Sequence, residues 1–234
     1  MPAMRLAASS EHHGCMTLRL SAEKSRAYWR TLMANSVALL EDAKLLLNNG
    51  SAGRARSLII LAQEELARAN ALHASSVAAW EAGGGSVDLP PQIDPTSQKS
   101  KPHLTTSKNH LDKIEHTERY GIYLSAFWGH YTEVEEQRDA VEVNEAKQAG
   151  FYVAAAPGQG SVFASPLDVD PDPVADDLER VAGVVEMALI RDHTRMQALG
   201  PGDHDWTHDL QIPLLRLAHP DDWAYFTHDG NQSE

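Results

Sequence analysis

The chain has 234 residues, enough for one domain with appendages or two small ones, and long enough to bury a real core. Hydrophobic residues make up 42% and aromatics only 6%, with Ala and Leu leading, a mixture that favours helices over sheets. The net charge of −13 sits in the second half, since residues 1–120 hold 14 Lys/Arg against 12 Asp/Glu and residues 121–234 only 6 against 21. No basic stripe therefore declares a nucleic-acid surface, although the first half would not repel one.

Residues 1–20 read as a flexible leader, with Met4 and Met16 as rival starts, and contain no apolar run of signal-peptide length. The single cysteine, Cys15, cannot form an internal disulfide, which points to a reducing, cytoplasmic setting. No stretch approaches the roughly 18 apolar residues of a membrane span. From Ser21 to Asn49 the positions Trp29, Leu32, Met33, Ser36, Leu40, Ala43 and Leu47 trace one face of a long helix, and Asn48-Asn49-Gly50 ends it. A second helix is predicted from Ala52 to Ala82, its inward stripe Leu58, Leu61, Ala62, Glu65, Ala69 and Leu72. A short turn between the two predicts an antiparallel pair.

Residues 83–102 are rich in Gly, Pro, Ser and Asp and read as a mobile linker. Helical spacing resumes near His103 with Leu104, Leu111 and Ile114, and again from Thr132 to Ala149, with Gly150 as its cap. Two β-prone runs, Phe151-Tyr152-Val153 and Ser161-Val162-Phe163, flank Pro157-Gly158-Gln159-Gly160 and predict one short β-hairpin near 151–164. An acidic linker over Pro166–Pro173 leads into a helix from Val174 to Leu199. Residues 200–234 form an acidic, His-rich tail, either docked and irregular or partly disordered.

Glu65 lies on the expected apolar stripe, and a carboxylate withdrawn from water needs a charged or hydrogen-bonding partner. His110 and Lys113, three apart on the next predicted helix, share a face that could supply one. Such a cluster would serve either as an acid/base or ligand site or as a buried polar contact that fixes helix register. Glu64 and Arg68, four apart, read as a surface helix pair. His204, His208, His219 and His228 among Asp203, Asp205, Asp209 and Asp221 invite a metal, but with no zinc-protease spacing they read as solvated tail. No metal or cofactor is expected.

Three ordered segments carry a family resemblance. Leu40-Glu41-Asp42-Ala43-Lys44-Leu45-Leu46-Leu47 with the following Arg54–Ala69 helix, including its Glu64-Glu65 pair, is one. Ser107-Lys108-Asn109-His110-Leu111-Asp112-Lys113-Ile114 is the second, and Asn144-Glu145-Ala146-Lys147-Gln148-Ala149-Gly150-Phe151-Tyr152-Val153 the third. Together they resemble the AbiV family of bacterial phage-defence (abortive infection) proteins, within the HEPN group of helical domains. Arg68 stands where that family usually has Lys, Ala154 where it has Asp, and Phe163 where it has Trp.

The resemblance implies an all-α fold over residues 21–199, a HEPN-like helical bundle, likewise a homodimer, and a role in antiviral defence. It also draws attention to Arg68-Ala69-Asn70-Ala71-Leu72-His73, which matches the Arg-x4-6-His pattern of HEPN ribonucleases. A five-residue step turns the two side chains apart on a helix, so the match is loose. Two mechanisms follow from the resemblance. One is a metal-independent endoribonuclease that cuts RNA in a dimer cleft, using Arg68 and His73 or the Glu65, His110 and Lys113 cluster. The other is a non-catalytic sensor that binds a phage protein or another partner.

Overall fold

The computed structural model describes residues 18–89, 139–155, 163–199 and 209–223. The first helix, α1, spans Ala22–Asn48. Ser21 starts it by accepting a hydrogen bond from the Lys24 amide at 3.2 Å, and Glu23 sits in the first turn, where the helix dipole favours an acid. The chain leaves the helix through Gly50, whose φ of 72° an L side chain would resist. Helix α2, Ala52–Glu81, then runs back antiparallel to α1. The two are joined across their faces by the Ser36 hydroxyl, which donates to the Ala62 carbonyl at 3.1 Å.

Helix α2 is the centre of the molecule. Its buried seam reads Ala55, Ile59, Ala62, Leu66, Ala69, His73, Ser76 and Trp80, alternating steps of four and three. This seam is turned from the expected stripe: Ala62, Ala69 and Leu72 are buried, while Leu58, Leu61 and Glu65 are only partly so. The physical reason is that α2 is covered on more than one side. Ile60, Gln63, Glu64, Ala67 and Asn70 are buried as well, because other helices pack against the flank that α1 leaves open.

A short antiparallel pair closes the α1–α2 hairpin, β1 (Arg19–Ser21) with β2 (Ser86–Asp88), in the register Leu20 to Val87. It lies where sequence alone suggested only a leader and a linker. Three residues of each strand carry no period that distinguishes them from loop, and the pairing partner is supplied by the turn of the chain. Gly83 and Gly85, both at positive φ, make that turn, and the Gly85 carbonyl accepts from the Ala22 amide at 3.1 Å.

Helix α3, Ala140–Ala149, begins at Asp139, whose carboxylate accepts from the Val141 amide at 2.7 Å and from that of Glu142 at 3.3 Å. The expected start at Thr132 lies outside the described residues. The predicted hairpin is present as β3 (Ala154–Ala155) paired with β4 (Phe163–Ala164), a little later in the chain than the β-prone runs. The stretch read as an acidic linker is instead a 3-10 turn at Pro166–Asp168, followed by α4 from Pro171 to Leu199. Proline at the first helical position costs nothing, because that amide has no helical acceptor, so Pro171 starts a helix rather than preventing one.

Helix α5, Gln211–Ala218, packs on α4 and α1 and buries Leu214, Leu217 and Ala218. This part of the tail is therefore docked and helical. The core runs between α1, α2, α4 and α5, which makes the described residues an all-α bundle with two minor strand pairs. No helix among the described residues is long and apolar enough to cross a membrane.

Candidate functional site

Among the described residues, polar groupings lie in and beside the apolar core, and three of them bear on the residues singled out from the sequence. The most enclosed lies between α1, α2 and α4. Asp192 continues the inward seam of α4 after Leu178, Val185 and Leu189 and is fully buried. Arg26 stands one turn before Trp29 on the inward face of α1. Its guanidinium forks onto Asp192, Nη1 to Oδ1 at 2.8 Å and Nη2 to Oδ2 at 2.5 Å. This planar two-point geometry lets arginine neutralise a buried carboxylate.

His73, on the seam of α2, completes the group. Its Nε2 is 3.1 Å from Asp192 Oδ1, and Arg191 Nη2 is 3.3 Å from its Nδ1. Arginine can only donate, so Nδ1 accepts and the ring proton sits on Nε2, donating to Asp192. Burial pushes the His73 pKa below its ordinary value, and Arg191 and Arg195 reinforce this against the opposing pull of Asp192. The ring is therefore neutral at neutral pH. Burial alone would raise the Asp192 pKa, but the hydrogen bonds from His73 and Arg26 outweigh it and hold the carboxyl down at about 2.

Two tryptophans wall the cluster. The His73 ring meets Trp80 edge-on with centroids 5.5 Å apart and lies 5.8 Å from Trp29. The Arg26 guanidinium sits over both indoles, 4.4 Å from the Trp29 ring and 4.8 Å from that of Trp80. Trp80 Nε1 donates to Ser25 Oγ at 2.8 Å, and Ser25 in turn donates to the Ala22 carbonyl at 2.8 Å. Trp80 Nε1, the Ser25 hydroxyl, both His73 nitrogens and both Asp192 oxygens each have a partner, which is the condition for holding such a network inside a core.

The second grouping ties α3 to α2. Glu64 and Lys147, both buried, form an ion pair. Ser57 donates to the Lys147 carbonyl at 2.7 Å. Gly150 sits so close that an added Cβ would overlap Ser57 Oγ and the Gly53 carbonyl. Thus Lys147 and Gly150, two residues that carried the resemblance, are explained by one tight helix crossing. The expected Glu64–Arg68 surface pair is not formed, because Glu64 faces α3.

Arg68 instead belongs to the third grouping, pairing with Glu65 at 2.6 Å and donating to the Tyr28 hydroxyl at 2.8 Å. Glu65 is partly exposed and satisfied within its own helix. His110 and Lys113 lie outside the described residues. Arg68 and His73 point to different neighbours, Glu65 and Tyr28 for one, Asp192 and Arg191 for the other, as the five-residue step implies.

Sequence reasoning passed over Arg26 and Asp192. The signal was there: two opposite charges, each at a seam position of its own helix. Only Glu65 was weighed that way. In the tail, His219 contacts Glu186 on α4 at 2.8 Å, a link between two elements; His204, His208 and His228 lie outside the described residues. Among the described residues no group of three or more His, Cys, Asp or Glu is placed to hold a metal ion.

The family model for AbiV, of the HEPN type, matches residues 24–186. That span takes in α1, α2, α3 and most of α4, and with them Arg26, Glu64, His73, Lys147 and Gly150, but stops short of Asp192. No curated protein and no solved structure matches the chain. With the matched span covering well over half of its length, the chain belongs to the AbiV family, abortive-infection (antiviral) proteins built on a HEPN-type helical domain.

Proposed function

We propose that this protein serves antiviral defence by engaging a partner protein, with the His73–Asp192 centre acting as the polar keystone of its bundle. One observation carries this reading: both ring nitrogens of His73 are committed, to Asp192 and to Arg191, and its side chain is only 8% exposed. A general acid or base must bring a nitrogen within about 3 Å of the proton it moves. His73 offers neither a free nitrogen nor access, and Arg68 is turned to a separate set of contacts.

A second reading has its own support. A histidine oriented by a buried carboxylate, beside Arg191 and Arg195, has the makings of a centre for phosphodiester cleavage. Arg191 lies on the solvent side, so a swing of its side chain toward a phosphate would uncover His73 Nδ1. In this reading two copies form a homodimer and RNA enters a shared cleft.

One assay separates the two. Purified protein is incubated with total RNA in the absence of metal, beside Glu65→Ala, His73→Gln, His110→Ala and Arg191→Ala. Partner engagement predicts no cleavage above buffer by wild type or any variant. Metal-independent cleavage by wild type that His73→Gln abolishes, with thermal stability retained, would overturn that reading in favour of the ribonuclease.

A further inference from the structure

The segment that follows α3 leaves an unusual amount of apolar surface in water. Phe151 is 44% exposed, Tyr152 and Val153 65% each, and Leu167 72%. Phe163 is 60% exposed on the neighbouring strand. These residues come from two stretches of chain held as one unit. β3 and β4 pair Ala154 with Ala164 and Ala155 with Phe163. The roots of the two stretches also meet: Gly150, just before Phe151, and Pro166, just before Leu167, both press on the backbone of Gly53. The apolar side chains therefore project from neighbouring points on a fixed base, the first turn of α2.

A contiguous exposed patch of large apolar residues marks a binding surface more often than scattered ones do. The charge around it says what kind. From Asp139 to Glu179 the sequence holds nine carboxylates and one basic residue, Lys147. Lys147 is buried against Glu64, so its charge is spent inside the protein. Asp168, Asp170 and Asp172 follow Leu167 directly and are exposed, as are Glu142 and Glu145 on α3. On the adjoining turn of α2, Arg54 donates to the neutral Ser51 hydroxyl and stays an exposed cation, while Arg56 is drawn to Asp177, so the carboxylates around the patch outnumber the basic groups rather than stand alone. The rim is acidic, which repels a nucleic-acid backbone and attracts lysine and arginine.

The geometry points to this patch, Phe151–Val153 with Leu167 inside an acidic rim, as the docking site for a basic amphipathic segment of a partner protein. The inference rests on the partner-engaging reading above and gives that partner its chemistry. Apolar side chains of the segment cover Tyr152, Val153 and Leu167, and its Lys or Arg residues meet Asp168, Asp170 and Asp172. Steering by the rim makes association faster at low salt.

The test uses the full chain and a fluorescein-labelled synthetic peptide of Leu and Lys at helical spacing, with a Leu/Glu peptide of the same length as its counterpart. Fluorescence anisotropy at low and high salt reads binding. The Leu/Lys peptide is expected to bind and the Leu/Glu peptide not. Tyr152→Ser/Leu167→Ser should weaken binding about tenfold or more, as loss of central apolar contacts does at protein interfaces. Asp168→Asn/Asp170→Asn/Asp172→Asn should weaken it at low salt and flatten its salt dependence. All five positions are exposed, so circular dichroism should be unchanged.

Equal weakening by Glu41→Gln/Asp42→Asn on α1 would overturn the site, since charge alone would then account for binding. So would unchanged binding by the Tyr152/Leu167 variant, or equal binding of the Leu/Glu peptide. Failure of the peptide together with a dimer that the Tyr152/Leu167 variant returns to monomer, by sedimentation, would assign the patch to a second copy instead. Each of these results leaves the broader partner reading standing, whereas RNA cleavage lost in His73→Gln would remove that reading whatever the peptide does.

Discussion

His73 and Asp192 show how a single residue's environment sets its charge and, through it, the stability of the fold. The ring is neutral in the folded protein because burial and the arginines hold its pKa below the ordinary 6.5. The unfolded chain takes up a proton there as pH falls through 6.5 and the folded protein does not, so stability declines below that point. Asp192 adds a second decline between 3.8 and about 2, where the unfolded carboxyl is protonated and the folded one is not. That shift corresponds to about 2 kcal/mol, present above pH 4 and lost in strong acid. Urea unfolding of wild type and His73→Gln between pH 7.5 and 5 checks the first decline. The slope is expected to flatten in the variant, and an unaltered slope would place the titrating group elsewhere.

Among the elements, the junction of α3 with α2 is the most exacting. Gly150→Ala places a methyl group against the Ser57 hydroxyl and the Gly53 carbonyl. Overpacking of this kind costs about 1–3 kcal/mol, read as a lower urea midpoint. Adding Ser57→Ala should recover little, because the Gly53 carbonyl is backbone and cannot turn away; full recovery would show that the hydroxyl alone was in the way. This junction also shows what was legible in the sequence and what was not. The helical period placed α1 and α2 within a residue or so of their ends, and Gly150 read as a cap. Its second duty, close approach, depends on which helix packs there. The same limit misplaced the seam of α2: one periodic stripe describes a helix with one covered face, and this helix has more. His73 was noticed through its motif, yet its partner Asp192 lies 119 residues away in sequence, and Arg26, which shares that carboxylate, lies 166 residues from it, so no local pattern couples them.

For the whole molecule, the decisive contact is the return of the chain from α4 through α5 to the core. Leu214 is fully buried between them. Leu214→Ala is expected to destabilise the protein by about 2–5 kcal/mol through the cavity it leaves. Differential scanning calorimetry should show a single lowered transition if α5 is integral to the bundle. A transition unchanged in temperature would mean that α5 is dispensable.

The clasp of β1 with β2 has a bearing on the order in which the protein assembles. It joins the start of α1 to the end of α2, so these two helices form a unit whose contacts are local in sequence and cheap in loop entropy. Arg26 and Asp192, by contrast, are separated by 166 positions. The hairpin can therefore form while Arg26 still lacks its counter-charge and His73 the acceptor for its ring N–H, leaving an unfilled cationic notch between Trp29 and Trp80 until α4 arrives. The late arrival of one carboxylate converts a stack of two helices into a closed bundle, and docking in the wrong register would strand that acid against apolar side chains.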